Sequence, residues 1–310
     1  MNIIMNILFI LIIAFDIYNL KNICKEKQIA RKETKKTLQN RKMVLCKNLQ
    51  ELKEIDLETP LYAKFTQAEM VYFLKVTQKL KEENEELFIF GSDLLKHVQL
   101  ENMRNFMKSA PFITIHKYPL KEAERSNGGI KVGSYVPQNK EVKIYLDHNN
   151  STLYHELLHV ASSDFSYSAS GFHIYLECGE SLGRGLNEGY TELLNRRFFD
   201  KKSKSYIELQ ELAKLIELFY ENKDDMVTDY FNADAFGLIG ELLKSMSLEE
   251  AIDIIVDMDG FLDNSLTIFD YLKLKQKIIQ LYEKSPVIQS QSENIPAKGK
   301  RLVKNLFIKK

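Results

Sequence analysis

Ser151–Ser163 reads STLYHELLHVASS, and the fold and chemistry of the chain turn on what this stretch is. His155 and His159 stand four residues apart, with Glu156 beside the first. On an α-helix that spacing puts both imidazoles on one face, with Cβ atoms about 5–6 Å apart. Two imidazole nitrogens can then meet one zinc ion at about 2.0–2.1 Å, and Glu156 can take a proton from a metal-activated water. Leu153, Leu157, Leu158 and Val160 give the same helix an apolar side, and a core helix that happens to carry two imidazoles has the same pattern. The five residues alone fit both readings, so the decision passes to the rest of the chain.

The third ligand separates them. A catalytic zinc takes three protein ligands and keeps one position open. Metzincins place a glycine three residues and a histidine six residues after the second histidine; Ser162 and Phe165 stand at those positions, which excludes that group. A glutamate on a following helix is the other source. GRGLNEGYTELLNRR (Gly183–Arg197) carries Glu188 and Glu192, four apart and on one helical face.

With these residues the chain resembles the gluzincin metallopeptidases, the superfamily of thermolysin-like peptidases and zinc aminopeptidases. The resemblance covers about residues 141–199. It rests on HELLH (His155–His159) and on Asn187-Glu188-Gly189-Tyr190-Thr191-Glu192, read as the second, NExx(S/T/A)-type motif. It implies an α+β, zincin-like domain holding one catalytic Zn²⁺ ion, with His155, His159 and Glu188 as ligands. It also implies peptide-bond hydrolysis with Glu156 as general base, and Glu192 on the outer nitrogen of His155. Metal-bound histidines commonly give their other N–H to a carboxylate, in keeping with that role. Asn187 and Thr191 assist the site or cap its helix.

Members of the superfamily also present a tyrosine or histidine to the oxyanion from the C-terminal half. No histidine follows His173, so Tyr230, in MVTDYFNADAF, is the expected residue, with Tyr220 as its rival. His173 is an alternative to Glu188 as ligand; His148 reads as a cap-region or surface residue, and His97 and His116 as isolated. The interval between His159 and Glu188 is longer than in the best-known members, and the extra residues around Ser170–Tyr175 bear on substrate class. No GxMEN-like stretch, the aminopeptidase anchor for a free amine, is found, which favours an endopeptidase. The alternative function is a zincin-fold binding or regulatory protein at the membrane without turnover; an intact Glu156 counts against it.

Working outward, Ala68–Asn84 and Leu87–Met107 have helical apolar spacing, whereas Pro111–Tyr118, Gly129–Val136 and Glu141–Asp147 alternate as strands. SNGG (Ser126–Gly129) and PQNK (Pro137–Lys140) supply turns between them. A small antiparallel sheet with a hairpin is expected, leading into the HELLH helix with Asn149, Asn150 or Ser151 as its cap. A peptide substrate can add as a strand to the sheet edge, at Glu141–Asp147 or Gly129–Val136. After a short strand in Ser170–Tyr175, helices are expected over Asn187–Phe199, Tyr206–Asn222, Ala233–Met246, Leu248–Val256 and Ser265–Lys284.

Composition limits the classes. Lysine plus arginine and aspartate plus glutamate both number 43, for a formal net charge of zero; a dedicated nucleic-acid binder shows a basic face, so that class is set aside. Cys24, Cys46 and Cys178 are odd in number, irregular in spacing and without a CxxC pair, which argues against a disulfide framework. From Ile3 to Phe15 only Asn6 is polar. That run is short for a span of about 20 residues and lacks the basic start and small-residue cleavage site of a signal peptide, so it reads as a signal-anchor. Lys21, Lys25, Lys27, Arg31, Lys32, Lys35 and Lys36 follow it and favour retention of the next segment in the cytoplasm, which leaves the side of the membrane open. The organisation expected is an anchor (1–20), a basic helical stalk or linker able to touch anionic lipid (21–58), a metallopeptidase domain (59–285) and a basic mobile tail (286–310). Within the domain, residues 59–200 hold the sheet and metal-binding helices and 201–285 a helical lobe. Membrane association is the expected location, with cytoplasmic as the alternative.

Overall fold

A computed structural model describes residues 30–47, 49, 64–123, 125–126, 129–130, 132–145, 150–176, 179–201, 205–263 and 265–288. Helix α1 covers residues 30–47. It is followed by α2 (Gln67–Glu83), α3 (Glu85–Leu94), α4 (Arg104–Ser109), β1 (Thr114–Lys117), the hairpin β2 (Arg125–Ser126) and β3 (Gly129–Ile130), β4 (Gly133–Val136) and β5 (Glu141–Ile144). Then come α5 (Asn150–Ser162), β6 (Ala169–Ser170), β7 (His173–Tyr175), β8 (Ser181–Leu182) and α6 (Arg184–Phe199). The lobe after it is helical: α7 (Ile207–Ile216), α8 (Lys223–Phe231), α9 (Ala235–Leu243), α10 (Leu248–Leu262) and α11 (Ile268–Glu283). The chain is α+β, with small sheets beside a helical majority.

The HELLH stretch is helical, and α5 packs on β4, β5, α4 and α6. Its apolar side, Leu153, Leu157, Leu158, Val160 and Ala161, is buried in the core. The expected antiparallel sheet is mixed. Its order is β1-β5-β4, with β4 antiparallel to β5 and β1 parallel to it in the register Thr114↔Glu141 to Lys117↔Ile144. Parallel neighbours need a crossover of a dozen or more residues, and the segment holding the hairpin and β4 supplies it. Glu141–Ile144 is therefore the central strand, and only β4 of the two proposed strands lies at an edge. A second sheet, β6-β7-β8, is antiparallel throughout.

Helix starts follow capping chemistry. Thr66 with Glu69, Ser247 with Glu250 and Thr267 with Asp270 form reciprocal capping boxes. Helix α8 falls where no helix was expected. Its aromatic and β-branched residues are weak helix formers, but Asn222 caps it and Asp224 and Asp225 occupy its first turn, where acidic groups suit the helix dipole. The helix expected over Leu87–Met107 is interrupted: α3 stops at Leu94 and α4 begins at Arg104.

Within the segment expected as a stalk, α1 is packed. Leu45 and Leu49 are buried, and Lys42 pairs with Asp253 (3.2 Å) and Asp257 (2.9 Å) on α10. Arg41 reaches the buried Asp259 at 3.1 Å. Asp259 in turn accepts the N–H groups of Gly183 (3.2 Å) and Gly185 (2.7 Å) at the start of α6. No side chain of α6's own cap residue does this, so the free amides of that helix end are satisfied from α10. The expected anchor and the tail from residue 289 lie outside the described residues. Among the described residues no helix is long and apolar enough to cross a membrane.

Arg41→Met leaves Asp259 without its cation. Losing one partner of a buried pair costs about 3–5 kcal/mol; Asp259 keeps two N–H donors, so the lower end, about 3 kcal/mol, is expected at pH 8. Burial, opposed by Gly185 and Arg41, raises the Asp259 pKa to about 6, above the roughly 3.9 of an unfolded chain. The folded state thus holds this proton more tightly. Its contribution to stability is complete below about pH 4 and is lost as pH rises through 6. The Arg41→Met deficit should therefore be smaller at pH 5 than at pH 8 in denaturant titrations; equal deficits would show that the pair matters only for packing.

Candidate metal centre

Helices α5 and α6 pack together, and each contributes residues four apart. His155, His159 and Glu188 offer ligand atoms that all lie within 4.8 Å of one another. The His155 and His159 Nε2 atoms are 3.2 Å apart, and Glu188 Oε2 lies 3.1 Å from the first and 3.5 Å from the second. Two atoms each about 2.0–2.2 Å from a tetrahedral ion stand roughly 3.3–3.6 Å apart, so this triangle has the size of one face of such a coordination sphere. The group could hold a metal ion.

The supporting bonds set the imidazoles. Nδ1 of His155 donates to Glu192 Oε2 at 2.8 Å, so Nε2 is the nitrogen that faces the triangle. Burial lowers the His155 pKa, but the flanking Glu188 and Glu192 carboxylates overcome it and raise it to about 10. His155 is thus held protonated and must give up a proton to become a ligand. The two imidazoles hold Glu188 well below the usual carboxylate range, against burial that raises it. His159 is arranged differently. Its Nδ1 faces the Asn187 Nδ2 at 3.3 Å while Asn187 Oδ1 accepts from the Phe172 N–H at 3.2 Å. In that pairing Nδ1 accepts, so ligation through Nε2 requires the Asn187 amide to turn and present Oδ1 to a proton on Nδ1.

Glu156 is 7% exposed. Burial raises its pKa, opposed by His155 and His159, and the Tyr135 backbone N–H on β4 donates to its carboxylate. The strand comes close because residue 133 is glycine: a Cβ there would lie 2.5 Å from Thr152 and 2.8 Å from Glu156 Oε1. Helix α6 is held as closely on its other side. A Cβ on Gly189 would meet the Leu209 carbonyl oxygen of α7 at 2.4 Å.

The tyrosine expected at the oxyanion is buried. Tyr230 is 0% exposed, packs on Phe172 and Tyr190, and shares a 2.6 Å hydrogen bond with Thr191 Oγ1. Its rival Tyr220 donates to Asp229 at 2.7 Å. Both hydroxyls are bonded in the interior, that of Tyr230 to α6 and that of Tyr220 to α8. Tyr206, not among the expected site residues, stacks on the His155 ring at 6.0 Å and is partly exposed. The charges of Glu188 first, then burial and the charges of Glu156 and Glu192, push its phenol up. Its φ of 55° is uncommon for a bulky residue, and strain of that kind clusters at functional sites. Nothing in its sequence setting marks it.

The other histidines stand apart. His173, on β7, is outside the three-ligand group. It is buried with Nε2 unpartnered among the described residues, and burial with the nearby Arg184 lowers its pKa to about 4. His97 stacks on Phe198, and His116 lies beside Tyr118. His148 and Cys178 fall outside the described residues.

Two outcomes are expected from metal titration. Glu192→Gln weakens divalent-metal affinity about 10–100-fold, measured by chelator competition, because the Nδ1 proton of His155 loses its carboxylate acceptor. In the wild type, affinity rises with pH toward the His155 value of about 10, and binding near pH 7 releases protons to the buffer in calorimetry. Among known proteins the chain matches no family model, no curated protein and no solved structure.

Proposed function

We propose that the chain is a zinc-dependent metallopeptidase of the gluzincin type, built on a zincin-like α+β domain and acting as an endopeptidase. One observation carries the reading. Three ligand atoms at tetrahedral spacing, two imidazole and one carboxylate, sit beside a further buried carboxylate, Glu156. Two histidines and one glutamate form a ligand set used by catalytic zinc.

A bound zinc ion supplies Lewis acidity that polarises a carbonyl and makes water a nucleophile near neutral pH. Glu156 takes the proton of the attacking water and delivers it to the leaving amine; its raised pKa brings it closer to the working range. Glu192 keeps the proton of His155 on Nδ1. The Tyr206 hydroxyl, beside His155, donates a hydrogen bond to the carbonyl oxygen as it gains charge. The substrate binds as an extended strand along β4, whose outer edge carries the Tyr135 N–H that reaches Glu156.

The test combines metal analysis with a peptide library. One zinc per chain is expected, lost in Glu188→Ala and retained in Glu156→Gln, whose cleavage rate falls about 10²–10⁴-fold. Tyr206→Phe should lower kcat and leave KM little changed. Glu156 acts only when ionised, so kcat/KM should fall on the acid side with a limb above the ordinary glutamate value of about 4.3. Metal-free protein of normal fold would sink the proposal. Zinc without cleavage of any library peptide would favour a zincin-fold binding protein, the reading that leaves Glu156 without a task.

A further inference from the structure

The start of α11 is apolar and uncovered. Ile268, Phe269 and Leu272 are 56%, 72% and 53% exposed, and Phe269 and Leu272 lie one turn apart on one side of the helix. Exposed apolar residues scattered singly need no explanation, whereas a cluster does. This one is bordered by cations. Lys35 of α1 binds Asp270 at 3.3 Å, and Leu38 of α1 and Leu266 both lie close to Gly260 of α10, so α1 runs next to the tip. One turn before Lys35 lie Arg31 and Lys32; Lys36 follows it, and Lys273 stands on α11 one turn after Phe269. Arg31, Lys32, Lys36 and Lys273 are exposed and make no ion pair among the described residues. Glu33 lies between Lys32 and Lys36 in the sequence, and Asp270 is already paired with Lys35. In the sequence, α1 is preceded by the apolar run Ile3–Phe15.

We propose that the α11 tip docks on an anionic lipid bilayer. Ile268, Phe269 and Leu272 enter the interface, and Arg31, Lys32, Lys36 and Lys273 meet the headgroups. Apolar residues ringed by lysine and arginine suit the boundary between acyl chains and anionic headgroups. Each such cation near an anionic surface raises affinity about fivefold. A protein partner of the same size would also cover the tip, but the surplus of unpaired cations and the apolar run ahead of α1 favour lipid. The inference does not depend on the metal site or on any catalytic activity.

The chain has no tryptophan, so a single introduced one reports its own surroundings. The full chain carrying Phe269→Trp is compared with one carrying Phe165→Trp, which probes another exposed aromatic position. Both are mixed with vesicles of phosphatidylcholine alone or with phosphatidylserine added, each with and without brominated phosphatidylcholine. Circular dichroism checks that both variants fold. The expected result is a blue shift and bromine quenching of Phe269→Trp on phosphatidylserine vesicles, reduced by Lys32→Gln with Lys36→Gln and absent for Phe165→Trp. Unchanged Phe269→Trp emission on vesicles that carry the protein would overturn the proposal. So would equal quenching on neutral vesicles, equal quenching of both probes, or a blue shift that grows with protein concentration when no vesicles are present; the last would assign the tip to a second copy of the chain.

Discussion

The imidazole of His155 is held from both ends by carboxylates of one helix, and the candidate site depends on that grip. Glu192 accepts its Nδ1 proton at 2.8 Å, and Glu188 faces its Nε2 at 3.1 Å. Both carboxylates lie on one face of α6, as His155 and His159 share one face of α5. Two four-residue repeats on packed helices thus interlock. An α-helix rises about 1.5 Å per residue, so a slip of α6 by one residue would break both contacts together. The site is specified by the axial position of α6 as much as by the identity of its residues.

That position is fixed from three directions. At the amino end, Asp259 binds the Gly183 and Gly185 amides, with Arg41 at its back. At Gly189 the absent side chain lets α7 approach, next to the proposed ligand Glu188. Towards the carboxyl end, Arg197 makes a two-point bond to the buried Glu217 at 2.7 and 2.8 Å, a geometry that fixes orientation as well as distance. Asp259, the Leu209 backbone and Glu217 therefore set the carboxylates of α6 without touching the triangle. A residue such as Arg41 bears on the site through Asp259 and one helix terminus.

The parts legible in the sequence are those that leave a local repeat. His155 and His159, like Glu188 and Glu192, are four apart, and that interval alone assigns each pair to a helical face. The strands of the first sheet and the turn at PQNK were readable for the same reason: alternation and turn residues are local. Contacts between distant segments leave no such trace. The parallel pairing of β1 with β5, the capping of α6 by Asp259 and the packing of α1 on α10 each join residues far apart in the chain. Tyr230 shows a different limit. A tyrosine in the right half of the chain says nothing about whether its hydroxyl is free, and this one is bonded to Thr191 in the core. Tyr206 is placed by a backbone turn that no pattern of apolar residues announces.

The electrostatics of the site join its two proposed properties. Glu156, Glu188 and Glu192 share the region with His155 and His159, and none of these carboxylates is fully solvated. Taking a carboxylate out of water is costly unless a cation stays beside it. The protonated His155 is such a cation, one positive charge between Glu188 and Glu192. Negative charge then remains in surplus, and Glu156 feels it: burial is the first cause of its upward shift, and the Glu188 charge adds to it despite the imidazoles. The same surplus attracts a divalent ion. Affinity for a dication and basicity of Glu156 thus arise from one arrangement of three carboxylates around two imidazoles. Removing Glu188 would weaken both, whereas removing the charge of Glu156 alone would leave the ligand triangle intact.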